Sequence, residues 1–313
     1  MIKQFLQALK QKRQRKTTQA SFERAYLDFM ENPTRFTDQS AQSILRKAYV
    51  RCGRSALEWA RGIQLKKTPH APKTVSSAHF PLLTSAEIDK AVCSLGKDGY
   101  YVMPWRLTDS WVAAVREKAG EYQVKSREDA GDVQMAHSIA PKSHTYWHGS
   151  DIINVQELRE FCLDAGINEV IGRYLGCRPV LDMVASWWTF PAGEASYDSA
   201  QLYHFDLDRI KWIKAFVYLS DVGPTNGPHA YVRGSHLDSM EKLGRDGRFS
   251  DTEVFSKYPT SDEVVFTGPA GTVILEDTLG LHKGVPAQEG YRFIFEFECS
   301  INHFGYPYPP VLT

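Results

Sequence analysis

The chain carries no surplus of either charge. Its 313 residues hold 37 Lys and Arg against 37 Asp and Glu, which excludes a uniformly basic, nucleic-acid-binding surface. Cysteine is scarce. Cys52, Cys93, Cys162, Cys177 and Cys299 are scattered, odd in number and never in a C-x-x-C pair. That excludes a thiolate zinc site and argues for a reducing compartment. No apolar run approaches the length of a membrane span, and the N-terminus lacks a signal-type apolar block. No internal repeat is found. The expectation is a cytoplasmic protein with no transmembrane segment and no nucleic-acid partner, long enough for one large β-core domain with helical additions.

The charge that is present is unevenly spread. Residues 1–67 hold 15 basic and 5 acidic residues, leaving 22 basic and 32 acidic for the rest. Ile2, Phe5, Leu6 and Leu9 recur at helical spacing, followed by the cluster Lys10, Lys12, Arg13, Arg15 and Lys16. Further helices are expected over residues 20–31 and 40–63. This segment either packs on the acidic remainder of the chain or meets an anionic surface, carrier or partner protein. A proline-bearing stretch, residues 66–81, reads as a linker in which His70 and His79 are solvated. The chain therefore divides into a helical, basic extension with its linker (1–80) and a main domain (81–313).

The main domain is organised around residues 201–236. In an extended chain, His204 and Asp206 point to the same side, with Phe205 turned away. A third candidate ligand, His282, follows 78 residues later after a strand-like run, and Arg292 lies ten residues beyond it. Two His and one carboxylate with open coordination positions form the facial set of non-haem Fe(II) oxygenases. H-x-D alone is a weak signal and fits a surface hydrogen-bonded pair. The ordered set of four residues is far harder to obtain by chance.

These residues, with Asn226-Gly227-Pro228 and Gly234-Ser235-His236, resemble the phytanoyl-CoA dioxygenase family, which includes the ectoine hydroxylases. The resemblance spans roughly residues 84–300. It implies an α+β fold: a double-stranded β-helix (jelly-roll, cupin-like) core with packed helices and a helical N-terminal extension. It also implies Fe(II) held by His204, Asp206 and His282, with 2-oxoglutarate and O2 as co-substrates. The implied reaction hydroxylates an unactivated C–H of a small-molecule substrate and yields succinate and CO2. Arg292 is the implied partner of the far carboxylate of 2-oxoglutarate, since its fork suits bidentate pairing. Phe216 falls where relatives place an aromatic beside the co-substrate. Related halogenases lack the carboxylate ligand, so Asp206 points to hydroxylation. Tyr203 stands where relatives often have Trp, and Glu276 and Asp277 occupy a variable position. Two rival readings are a catalytically silent jelly-roll protein binding a metal or small acid, and a zinc or manganese cupin without 2-oxoglutarate, which would not need Arg292.

The remaining motifs are read in the same frame. Thr84 to Glu87 is a capping box opening a helix that stops before Gly99. Helices are expected over 108–122 and 155–175, and strands over 100–103, 179–190, 211–220, 271–277 and 291–300. In the strand 211–220 one face is aliphatic, while the other carries Trp212, Lys214, Phe216 and Tyr218. A buried lysine there is not what a simple core would choose, so Lys214 joins the cofactor-binding set. Residues 126–150 read as a polar loop over the mouth of the site. His144, Tyr146 and Trp147 are expected at the substrate, whereas His137 and His148 are not ligands. Trp187 and Trp188 face opposite sides of their strand, and Trp188 is assigned to the substrate. His236 is read as a hydrogen-bonding turn residue, 238–262 as an insertion loop, and the tail as a strap or a subunit contact.

Overall fold

The structure is a computed structural model that describes residues 2–32, 37–71, 80–191, 200–308 and 311. His79 lies outside them. Three helices open the chain: α1 (Ile2–Glu31), α2 (Gln39–Cys52) and α3 (Arg54–Lys67). The single helix expected over 40–63 is broken at Gly53, whose φ of 63° and ψ of −158° suit glycine. The second half of α1 buries Phe22 and Tyr26, and both rings meet Phe304 of the C-terminal tail. Asn302 donates to Tyr26 Oη and Gln64 Oε1, both at 3.0 Å. Tyr49 Oη donates to the Arg209 carbonyl at 3.0 Å. Residues 22–60 and the barrel thus share one hydrophobic cluster. The composition break near residue 80 does not separate two cores. His70, expected in solvent, is partly buried, with Nε2 3.2 Å from the carboxylate of the buried Glu169.

The capping box forms. Thr84 Oγ1 accepts from the Glu87 N–H, and the Glu87 carboxylate accepts from the Thr84 N–H, opening α4 (Ser85–Asp98). Left-handed Gly99 ends it and leads into β1 (Tyr100–Arg106). After α5 (Asp109–Gly120) come three short strands: β2 (Gln123–Ser126), β3 (Val133–Met135) and β4 (Thr145–His148). The stretch expected as a loop over the mouth is therefore partly sheet. The helix expected over 155–175 is two, α6 (Gln156–Cys162) and α7 (Ala165–Leu175). The Asp164 side chain caps the second by accepting from the Ile167 N–H at 2.9 Å.

Then follow β5 (Val180–Thr189), β6 (Trp212–Tyr218), β7 (His229–Val232), the short helices α8 (Ser239–Leu243) and α9 (Asp251–Phe255), and β8 (Glu263–Phe266). The chain closes with β9 (Thr272–Glu276), β10 (His282–Gly284) and β11 (Arg292–Ser300). All pairings are antiparallel. The larger sheet runs β1-β9-β6-β11-β5-β4-β2-β3, and the smaller one runs β10-β7-β8. Strand alternation sorts β11. Phe295 and Phe297 pack on Phe161 of the helical layer, while Ile294 faces the smaller sheet. Phe216, Tyr218, Tyr231, Phe266, Ile274 and Ile294 fill the space between the sheets. This is the double-stranded β-helix with packed helices. Among the described residues, no helix is long and apolar enough to cross a membrane.

Candidate metal and co-substrate site

The two histidines are brought together by their own backbones. The His204 N–H donates to the His282 carbonyl at 3.0 Å, and the His282 N–H returns the bond at 2.8 Å. Their rings lie 4.2 Å apart. Asp206 is two residues on from His204, with its N–H bonded to the Thr278 carbonyl at 2.8 Å. One ligand atom from each of His204, Asp206 and His282 lies within 4.8 Å of the other two. The turn before His282 is pinned from behind: Ser235 Oγ accepts from the Leu281 N–H at 2.7 Å. His236 is a buried neighbour 3.3 Å from the Gly96 carbonyl, away from the centre.

The donor set suits a cation. His204 Nδ1 lies 3.0 Å from the Leu202 carbonyl and His282 Nδ1 lies 2.9 Å from that of Gly280. A carbonyl can only accept, so each Nδ1 carries the proton and each Nε2 presents a lone pair. Burial holds both imidazoles below the usual histidine range, which keeps them neutral. Burial alone would push the Asp206 carboxyl up. The Lys214 ammonium outweighs it and holds the group well below the usual range. Lys214 Nζ sits 3.0 Å from Asp206 Oδ2 and 3.8 Å from both Glu296 Oε1 and Glu298 Oε2. The buried lysine is thus the hub of three carboxylates.

Arg292 enters from β11 opposite Thr189 and is only 4% exposed. Nη2 donates to Thr189 Oγ1 at 3.3 Å, whereas Nε and Nη1 have no hydrogen-bond partner among the described residues. A buried guanidinium with unsatisfied donors costs several kcal/mol unless an anion meets it. Gly284 keeps the approach open, since a Cβ there would come within 3.2 Å of Arg292 Nη2. Phe216 lines the same cavity and its ring lies 5.1 Å from that of His229. Behind them His229 Nε2 is 3.0 Å from Glu276. Burial pushes the Glu276 carboxyl up to about 8 and pulls His229 down to about 3, so the pair is neutral near pH 7.

The cavity, about 580 Å³, contains the metal-type trio, Arg292, Phe216 and Lys214. Of the four residues expected at the substrate, only Trp147 lines it. Trp188 lies on the opposite face of β5, stacked on Phe293 at 4.0 Å, and Trp187 faces the cavity in its place. Tyr146 points the same way as Trp188; it is fully buried and donates to Asp132 at 2.5 Å. His144 is half-buried and does not reach the cavity wall. Several lining residues carried no signal in the sequence: Lys125 just before the expected loop, Arg127 within it, and Tyr306 and Tyr308 from the tail. Glu296 did carry one, because it alternates with Arg292 on the same strand.

A double-stranded β-helix with two imidazoles and a carboxylate converging inside it has the architecture of the mononuclear non-haem iron oxygenases. The family model for phytanoyl-CoA dioxygenase matches residues 95–288. The chain belongs to the phytanoyl-CoA dioxygenase family and is a non-haem iron, 2-oxoglutarate-dependent oxygenase, with iron as cofactor and 2-oxoglutarate and O2 as co-substrates. Similar solved structures include the epimerase SnoN from nogalamycin biosynthesis in complex with Fe3+, alpha ketoglutarate and nogalamycin RO. It is 17% identical over 74% of this chain and 89% of that one, with a TM-score of 0.50. EctD from S. alaskensis in its apoform is 20% identical over 78% and 89%, with a TM-score of 0.49. HygX from Streptomyces hygroscopicus with nickel and 2-oxoglutarate bound is 20% identical over 73% and 91%, with a TM-score of 0.48. At these identities the likeness is one of fold. No curated protein sequence matches the chain significantly.

Proposed function

We propose that the protein hydroxylates an unactivated C–H of a small organic molecule. One O2 oxygen would enter the product and the other the succinate formed, with CO2, from 2-oxoglutarate. His204, Asp206 and His282 hold the metal, and the Nδ1 hydrogen bonds fix the direction of both imidazoles. Arg292, with Thr189 beside it, pairs with the far carboxylate of 2-oxoglutarate. Phe216 walls that pocket and keeps water from it. Lys214 acts one step back: its ammonium, 3.0 Å from Asp206 Oδ2, keeps the carboxylate ionised and in place for the metal. Bound iron supplies the oxidising power for the C–H cleavage, and the barrel supplies orientation.

The observation that carries this reading is the buried, half-satisfied Arg292 guanidinium beside the trio. Replacing Arg292 by Ala is expected to weaken 2-oxoglutarate binding by about 30-fold or more, from the roughly 2–5 kcal/mol lost with a buried charge partner. Iron binding should be unchanged. Calorimetric titration of 2-oxoglutarate into the iron-loaded protein, together with succinate formation under air, tests it. An unchanged titration removes Arg292 from the role, and a chain that binds iron without ever forming succinate is a silent binding protein.

The reducing, cytoplasmic setting is supported by five cysteines that form no disulfide. A peripheral contact with an anionic surface is assigned to the start of α1, where every described side chain over residues 9–17 is exposed.

A further inference from the structure

The wall of the cavity away from Arg292 holds a second set of cations. On β2, Lys125 pairs with Trp147 of β4, which in turn pairs with Trp187 of β5. Residues directly opposite in antiparallel strands share a face, so the three form one row across the sheet, and all three line the cavity. The two indoles are stacked at 4.4 Å with 16° between their planes. Arg127, also on the cavity wall, sets its guanidinium 5.1 Å from the Trp147 ring centre. Lys125 and Arg127 are exposed, and among the described residues neither has a carboxylate partner.

These cations are not placed for 2-oxoglutarate. β2 is three strand positions from β11, where Arg292 sits. At a spacing of about 4.8 Å this is roughly 14 Å across the sheet, beyond the reach of one small diacid already held by Arg292 and the metal. Nor does the wall favour a cationic ligand. The acids that face the cavity are matched from within: Asp206 and Glu296 face Lys214, and Asp208 accepts from Tyr308 Oη at 2.8 Å. The charge left without a partner at the mouth is positive.

We propose that the substrate is an acid. Its carboxylate or phosphate is held by Lys125 and Arg127 at the mouth, and an apolar or planar body runs along Trp147 and Trp187 towards the metal. This deepens the proposed function and rests on it. The cavity volume, about 580 Å³, suits a small molecule and not a macromolecule. The body must cover two strand spacings, about 10 Å, so the acid is longer than 2-oxoglutarate.

The test uses the full chain, loaded with iron and 2-oxoglutarate under nitrogen, and calorimetric titration of four probes. These are 2-naphthylacetate, 2-naphthyl phosphate, the neutral 2-naphthylacetamide and the cationic 2-(2-naphthyl)ethylamine. At least one anion is expected to bind tenfold or more tightly than the amide, and the tighter of the two tells carboxylate from phosphate. In the double variant Lys125→Ala, Arg127→Ala that preference should fall to the level of the amide, with 2-oxoglutarate affinity and melting temperature unchanged. An amide or amine that binds as well as both anions overturns the proposal. So does a variant that keeps the preference, or a protein that binds 2-oxoglutarate but neither anion. Failure to bind 2-oxoglutarate at all counts against the proposed function instead, and the anion-to-amide ratio still decides the substrate class.

Discussion

At the scale of single residues, the site is governed by buried charges that have to be matched. Lys214 is held well above the ordinary lysine range: burial would lower it, but Asp206, Glu296 and Glu298 more than reverse that. Lys214→Met would leave three carboxylates facing one another inside the barrel. Breaking a buried charge network in this way costs about 3–5 kcal/mol, and urea unfolding should show it. Adding Glu298→Gln should recover part of the loss; no recovery would mean that Lys214 and Glu298 are not coupled. Glu276 gives a pH signature. Its folded pKa, about 8, lies above its ordinary value of 4.5. The unfolded chain therefore releases this proton first, and the associated stability is full below about pH 4.5 and is lost as pH rises towards 8. Unfolding free energies measured from pH 5 to 8 should fall less steeply in Glu276→Gln than in the parent, by up to one proton's worth of slope. Parallel slopes would sink the assignment.

At the scale of elements, the sequence was legible wherever one residue type has one conformational use. The capping box, the αL glycine at Gly99 and the alternation of β11 each appear where expected. So does the convergence of His204 and Asp206, because it needs only strand geometry. The breaks were harder to read. Gly53 and Asp164 interrupt patterns that are apolar at helical spacing on both sides, and periodicity alone does not register a change of axis. The short strands β2 to β4 lie in a polar stretch; β4 is stabilised by pairing with β5, a partner distant in sequence, and β2 and β3 build outward from β4. That is also why Trp187 and Trp188 were exchanged: alternation says that they differ, and only the register decides which is inside. Gly53 tests this account. Its Cβ would have room, with Glu241 Oε1 the nearest atom at 3.7 Å, but its backbone conformation is one that other residues rarely adopt. Gly53→Ala should cost roughly 1–3 kcal/mol of stability and leave iron affinity unchanged. A neutral substitution would mean that α2 and α3 tolerate another junction.

At the scale of the whole molecule, the first helix is two things in sequence. From Thr18 onwards it is core: Phe22 and Tyr26 are fully buried, and Lys67 Nζ donates to the Met30 carbonyl at 2.7 Å. Residues 9–17 are exposed throughout and hold Lys10, Lys12, Arg13, Arg15 and Lys16, with no acid before Glu23. Composition joined these halves because both lie in the helical stretch 1–67, which is basic as a whole, although residues 18–31 hold only Arg24 against Glu23, Asp28 and Glu31; packing separates them. Two truncations are therefore expected to behave differently. Removing residues 1–17 should leave the melting temperature and succinate formation without added substrate nearly unchanged, because the contacts it strips from the rest of the described chain are the hydrogen bonds of Arg15 with Cys52 and Ser55. It should abolish sedimentation with vesicles containing anionic lipid at low salt. In the intact chain that binding should itself fade as salt is raised, since exposed charges are screened over about 8 Å at physiological ionic strength. Removing residues 1–66 should instead expose Phe304 and leave Asn302 without Tyr26 and Gln64, at a cost of several kcal/mol for the aromatic contacts alone. The shorter chain should unfold at markedly lower temperature or without cooperativity. If it melts like the parent and still forms succinate, helices α1 to α3 are a separable extension after all, and the shared cluster contributes little to the barrel. If removing 1–17 leaves vesicle binding intact, the anionic contact lies elsewhere on the surface.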